Sequence, residues 1–236
     1  MNNKGILYLI PSPLSDGPME GFLPGRVFDV IARTDRYVVE EVRTARRFLS
    51  AAGRKGEIEG IEFHTLNEHT SPAEVEAMAA LFDDGSPVGL ISEAGLPAVA
   101  DPGAALVALC HRIGVKVVPL VGPSSLMLAL MGSGLNGQSF AFHGYLPAKT
   151  PQRRKALESI ERTSAKLCQS QIFIETPYRN DAMLQDMLEC LAPTTRLCIA
   201  TDITAQDENI ETKSIGEWKR QKTEIGKKPT VFIILA

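Results

Sequence analysis

Along the first half of the chain, short apolar runs alternate with stretches whose apolar positions recur at helical spacing. GILYLIP (residues 5–11), YVVEEV (37–42), IEFHTL (61–66), PVGLIS (87–92) and VKVVPL (115–120) read as strands. Between them GRVFDVIART (25–34), RTARRFLSAA (43–52), SPAEVEAMAALFDDG (71–85) and PGAALVALCHRIG (102–114) read as helices. The third is the best marked, with Ser71 placed to cap it, Pro72 at the first helical position and Glu74 completing a capping box. In the fourth, Asp101-Pro102 reads as the start and Gly114 as the stop. Strands alternating with such helices predict βαβ crossovers and a mainly parallel sheet with helices on both faces.

The rhythm changes across VGPSSLMLALMGSGLNGQ (121–138), where Gly132, Gly134 and Gly137 mark a break. Beyond it SFAFHGYL (139–146), QIFIETPY (171–178), TRLCIATDI (195–203) and TVFIIL (230–235) read as strands. TPQRRKALESIERTSAKL (150–167) and RNDAMLQDMLECL (179–191) read as long helices, and SIGEWKRQ (214–221) as a short one with its own capping box, Ser214 to Glu217. The expected fold class is α/β in two domains, a mainly parallel one over residues 1–120 and a mixed, more antiparallel one over 121–236. Two domains of similar size predict a ligand cleft between them.

Composition adds a few exclusions. With 44% apolar and 22% charged residues the chain is that of a folded globular protein. No apolar run is long enough to span a membrane, and MNNKGILYLIPSP lacks a signal-peptide layout, so no membrane partner and a cytoplasmic location are expected. Cys110, Cys168, Cys190 and Cys198 show no CxxC spacing, and no residue group has metal-ligand spacing, so reduced cysteines and no metal are expected. A formal net charge of −3 gives no global attraction to nucleic acid. RNA contacts would have to come from local clusters, Arg43, Arg46 and Arg47 or Lys149, Arg153, Arg154 and Lys155, which also read as solvated helix faces.

Ligands of open α/β sheets bind beyond the carboxyl ends of the strands, and three such ends carry loops rich in Pro, Gly and small residues. They are PSPLSDGPMEGFLPG (11–25), SEAGLPAVADPG (92–103) and VGPSS (121–125), each able to let a ligand approach rigid backbone. None is a GxGxxG or GxxxxGK[ST] loop, and there is no GxSxG elbow. Candidate proton acceptors at the same edge are Glu40 and Glu41 after the second strand and His69 in NEHT after the third; His143 in FHGYLP lies near the expected cleft.

Taken in order, LYLIPSPL, EEVRTARRFL, SEAGLPAVADPG, PLVGPSSLMLALMGSGL, FAFHGYLPAK and IFIETPYR resemble the tetrapyrrole-methylase-like (class III) superfamily of S-adenosylmethionine-dependent methyltransferases. The resemblance spans residues 5–235 and is greatest to the branch that methylates a cytidine 2′-hydroxyl in small-subunit ribosomal RNA. Departures from that branch include Val42 in place of an aspartate, Glu93 in place of an aspartate, and SPLSDG in the first loop.

The resemblance implies an enzyme, a homodimer, with S-adenosyl-L-methionine folded between its two domains. By matching position, Pro11, Ser92, Glu93, Ala94, Gly95, Ser124, Ser125, Tyr178, Pro229 and Thr230 would hold the cofactor, and Arg43, Lys149 and Arg179 the substrate. The favoured reading is 2′-O-methylation of a ribose in ribosomal RNA, with the RNA or the small ribosomal subunit as partner. Two others stay open: methylation of a small molecule such as a tetrapyrrole precursor, and an inactive relative that binds cofactor or RNA.

Overall fold

The computed structural model describes residues 4–236. They form two compact units that divide between Ser124 and Ser125.

The first unit is a five-stranded sheet of β1 (Ile6–Ile10), β2 (Arg36–Val39), β3 (Glu62–Thr65), β4 (Val88–Ile91) and β5 (Lys116–Pro119), in the order β3-β2-β4-β1-β5. Every pairing is parallel, as the alternation of strands and helices predicts. On β1, Leu7 and Ile10 are both fully buried but feed opposite faces. One face is covered by α1 (Gly25–Ala32) and α2 (Val42–Leu49) through Val27, Val30, Ile31, Ala45 and Leu49. The other is covered by α4 (Ala104–Ile113) through Leu106, Leu109 and Cys110. Gly89 in the middle of β4 makes room for the buried ring of Tyr37, which would lie 2.6 Å from a Cβ there.

Two expectations need correction in this unit. The best-marked helix is shorter than its pattern: α3 (Pro72–Ala77) has the expected Ser71–Glu74 capping box, but Met78–Phe82 tightens into a 3-10 turn. That tightening buries Phe82 completely and sets its carbonyl to accept from Gly5 N at 2.9 Å, tying the turn to the start of β1. Asp101 does not cap α4, whose N-cap is Gly103; its side chain is used elsewhere, as described below. The stop is as expected, with Gly114 left-handed at φ 76° and Val115 N donating to Cys110 O at 2.8 Å.

The second unit opens with α5 (Ser125–Ser133) and holds β6 (Phe140–Tyr145), β7 (Ser170–Glu175), β8 (Arg196–Thr201), β9 (Asn209–Ser214) and β10 (Thr230–Leu235). Their order is β6-β7-β10-β8-β9; β6 runs parallel to β7 and the remaining pairs are antiparallel. β10 is central and buried on both faces, which its unbroken apolar run TVFIIL reflects. On one face α6 (Thr150–Leu167), α7 (Asn180–Cys190) and α8 (Ile215–Trp218) enclose Phe173, Phe232, Met183, Met187 and Trp218. β9 has no counterpart in the sequence reading, because NIETKS is a polar edge strand without apolar alternation.

A third correction concerns the second basic cluster. Arg153 is 3% exposed and its Nε donates to Asp186 Oδ2 at 2.7 Å, while Arg154 Nε reaches Asp186 Oδ1 at 2.7 Å. The two guanidiniums lock α6 to α7 and are not free to meet a phosphate. Among the described residues no helix is long and apolar enough to cross a membrane.

Candidate functional site

At the carboxyl edge of the first sheet, the three Pro- and Gly-rich loops meet. Ser12 N donates to Gly95 O at 2.9 Å and Gly95 N returns the bond to Ser12 O at 3.0 Å, an isolated bridge between the loops after β1 and β4. The hydroxyl of Ser12 adds a bond to Ser92 O at 3.0 Å. Gly95 is left-handed at φ 75°, and a Cβ on it would stand 3.1 Å from Leu14 and 3.6 Å from Pro123 O of the loop after β5. Gly122 lies flat against Pro11: its Cβ would fall 2.2 Å from the Pro11 Cβ. Close approach requires glycine at Gly122, and the left-handed backbone favours it at Gly95. Pro11, Ser92, Glu93, Ala94 and Gly95 are thus brought together, with Ser124 at the end of the third loop. Ser12, the residue that knits the edge, escaped the sequence reading, since a lone serine between prolines carries no motif signal.

Three carboxyl groups line the same edge. Glu40 lies at the end of β2, its pKa raised first by burial and then by the charge of Asp101, to which it is hydrogen-bonded. Glu93 is raised by burial and by Glu40 and Glu41, an effect that the Thr44 hydroxyl and Arg47 oppose. Asp101 is raised by burial, against hydrogen bonds from Ser92 and Glu40. Glu40 and Asp101 line a small cavity together with Ser92, Ala98 and the core residues Leu66, Leu90 and Ile91. Asp101 arrives there because the loop doubles back through two left-handed alanines, Ala98 at φ 66° and Ala100 at φ 61°. Left-handed alanines cost conformational energy and are found where surrounding contacts enforce them. Nothing in the letters ADPG distinguishes this arrangement from a helix cap.

Glu41 is a cap, not a proton acceptor. Its carboxylate accepts from Arg43 N at 3.0 Å and Thr44 N at 2.8 Å at the start of α2, bonds that hold its pKa down. Arg43 is exposed on the first turn of that helix, while Arg46 lies over the Phe63 ring at 5.7 Å and pairs with Glu59. His69 is exposed on the loop after β3, with Nε2 3.6 Å from Glu68, whose charge is felt by Glu40. His143, in the second unit, is bound to Gln171 at 2.6 Å.

The second unit has its own set of strand ends. Thr230, at the start of β10, stands across from Glu175 of β7 and Thr201 of β8. Glu175 is buried, and its Oε1 accepts from Thr176 N at 2.7 Å and from Arg179 Nε at 2.9 Å; Oε2 has no hydrogen-bond partner among the described residues. Arg179 is therefore committed to Glu175. The fully buried Asn180 donates through Nδ2 to Gly226 O at 3.0 Å, Lys228 O at 2.8 Å and Thr230 Oγ1 at 3.1 Å. Asp181 Oδ1 accepts from Ile225 N at 2.8 Å and Gly226 N at 3.3 Å. Lys228 pairs with Asp202 at 2.8 Å, and Pro229 O accepts from Asp202 N at 3.0 Å. Tyr178 is exposed, and Lys149 is exposed just ahead of α6. Ser125 is the first residue of α5.

Comparisons with known proteins agree with this architecture. Residues 20–219 match the family model of the Tetrapyrrole (Corrin/Porphyrin) Methylases. The chain is 34% identical over 216 residues to "Ribosomal RNA small subunit methyltransferase I" of Vibrio cholerae serotype O1, covering 92% of this chain and 71% of that relative. The protein of the same name from Escherichia coli O157:H7 is 30% identical over 236 residues, 99% of this chain and 78% of the relative. Among solved structures, the methyltransferase CobJ superposes with a TM-score of 0.63 at 17% identity, covering 98% of this chain and 94% of its own. Uroporphyrin-III-C-methyltransferase from Thermus thermophilus does so with 0.57 at 17% identity, covering 98% and 92%.

Proposed function

This chain belongs to the tetrapyrrole (corrin/porphyrin) methylase family, and from that premise we propose that it transfers a methyl group from S-adenosylmethionine to a ribose 2′-hydroxyl of small-subunit ribosomal RNA. The observation that carries the reading is the knitted edge of the first unit, where the Ser12–Gly95 bridge and the Pro11–Gly122 contact make a rigid backbone cradle beside three carboxyl groups. The names borne by relatives at 30% identity and above support RNA as the acceptor.

The chemistry of the edge fits that cofactor. The backbone of Glu93 and Ala94, between the two residues that Ser12 binds, suits its amino, carboxylate and ribose groups, and the acids suit a positive charge. When bound, S-adenosylmethionine supplies a methyl group made electrophilic by its sulfonium. Pro11, Ser92, Glu93, Ala94, Gly95 and Ser124 of the first unit would hold it. The protein's main contribution is orientation, because an in-line displacement at carbon demands alignment of nucleophile and leaving group. Glu40 would receive the proton of the attacking hydroxyl. Burial and Asp101 raise its pKa towards the range in which a carboxylate is a more effective base. His69, the other candidate, stands exposed on the loop after β3 beside Glu68. Arg43 and Lys149, both exposed, are the candidates for phosphate contact. The homodimer belongs to the same proposal, and sedimentation of the purified chain tests it.

The test is transfer of tritium-labelled methyl to small ribosomal subunits from cells lacking the gene, with calorimetry of cofactor binding alongside. Label in RNA that maps to a ribose 2′-oxygen is the expected result. Cofactor binding without label in any ribosomal fraction would overturn the acceptor, and absence of binding would overturn the cradle.

A further inference from the structure

The Tyr178 ring is 80% exposed, so the core gains almost nothing from it. A single exposed aromatic needs no explanation on its own. Here, however, the turn that carries it and the segment facing it are both fastened by hydrogen bonds. That turn begins at Pro177 and is clasped by Glu175, which bonds Thr176 N and Arg179 Nε on either side. The next two residues, Asn180 and Asp181, fasten the facing segment through five hydrogen bonds to Ile225, Gly226, Lys228 and Thr230. That segment carries Lys227, whose Nζ lies 5.2 Å from the centre of the Tyr178 ring. Its neighbours Lys228 and Arg179 are neutralised by Asp202 and Glu175, whereas Lys227 makes no ion pair among the described residues. The result is an exposed aromatic ring on a fastened turn, with an unneutralised cation beside it.

We propose that the Tyr178 ring and the Lys227 ammonium form a stacking platform for an unpaired nucleobase of the RNA substrate. The inference rests on the RNA acceptor proposed above and gives Tyr178 a role other than the cofactor contact its motif position implies. Every base has a π-face that stacks on an aromatic ring without regard to sequence, and a cation alongside meets the adjoining phosphate. Preorganisation matters because a turn already fastened loses little backbone freedom when the base arrives.

Anisotropy of a fluorescein-labelled single-stranded oligoribonucleotide, with calorimetry of S-adenosylhomocysteine as the second readout, tests the platform. Tyr178→Ala is expected to weaken RNA binding about tenfold, as loss of one base stack should. Tyr178→Phe should keep wild-type affinity, and Lys227→Gln should lower the slope of log affinity against log salt by about one. Affinity for S-adenosylhomocysteine should stay unchanged in all three. RNA affinity unaltered by Tyr178→Ala would overturn the platform, as would a loss confined to S-adenosylhomocysteine. A wild-type chain that binds no oligoribonucleotide would also overturn it. A Tyr178-dependent RNA binder that methylates no ribosomal RNA would instead overturn the acceptor and leave the platform standing.

Discussion

The two sheet edges freeze their loops by different means. In the first unit the loops are joined backbone to backbone, through the Ser12–Gly95 bridge, and by glycines that let chain lie on chain at Gly95 and Gly122. In the second unit side chains do the fastening: Asn180 and Asp181 reach across to residues 225–230, and Glu175 grips its own turn. Their charge also differs, with three carboxyls of raised pKa at the first and the Lys227–Tyr178 pair at the second. A backbone-built edge leaves polar backbone close to a ligand and tolerates no added atoms. A side-chain-built edge can instead be dismantled one residue at a time.

The sharpest way to break this contrast is Gly122→Ala. The added methyl would lie 2.2 Å from Pro11 Cβ and 2.3 Å from Cγ, in a ring that cannot rotate away. Overpacking of this kind is expected to cost about 3 kcal/mol, read as a lower denaturant midpoint, with cofactor affinity lost alongside. Asn180→Ala comes next. It leaves the Gly226 and Lys228 carbonyls without their buried donor, for about 2 kcal/mol by thermal melting, and is expected to spare cofactor binding to the first unit. Equal loss of cofactor and RNA affinity in that variant would erase the distinction between the edges. Ser12→Ala removes only the bond to Ser92 O and should cost about 1 kcal/mol, since the main-chain bridge survives; calorimetry with S-adenosylhomocysteine would show a loss of a few fold.

Glu40→Gln is the smallest and changes sign. Because the raised pKa values mean that the folded chain holds these protons more tightly than the unfolded chain, their stabilisation is complete below the ordinary carboxylate value of about 4. It is lost as pH rises through the raised values. Near neutrality the substitution should therefore stabilise, by about 0.5 kcal/mol for a partly solvated charge pair, while methyl transfer falls. Melts as a function of pH should show that gain vanishing below about pH 4. Glu41 runs the other way: its lowered pKa stabilises above the ordinary value, and that stabilisation is lost as pH falls through the lowered one.

What could be read from the letters follows from where the signal is local. Apolar runs and capping pairs are local, so the strands of the first sheet, the Ser71–Glu74 and Ser214–Glu217 boxes and the extent of α6 were all legible. β9 was not, because NIETKS is held by its register against β8 and not by its own pattern. Arg153 and Arg154 read as a basic patch because their partner Asp186 lies on another helix. Among site residues, the loops of 92–95 and 121–125 were visible through glycine and proline. Ser12 meets Ser92 and Gly95 some eighty positions away, and Asp101 meets Glu40 some sixty away as well as the nearer Ser92; such distances leave no mark on a motif.

The position of β10 bears on how the chain is made. All five strands of the first sheet precede Ser124, so that unit can fold while the second is still being translated. In the second unit the central strand comes last in chain order: β7 and β8 are synthesised as neighbours of a strand that does not yet exist. Until β10 emerges their inner edges stay bare, open to pairing with other chains or to capture by a chaperone. A nascent chain halted after β9 should therefore carry a protease-resistant first unit and a protease-sensitive second one.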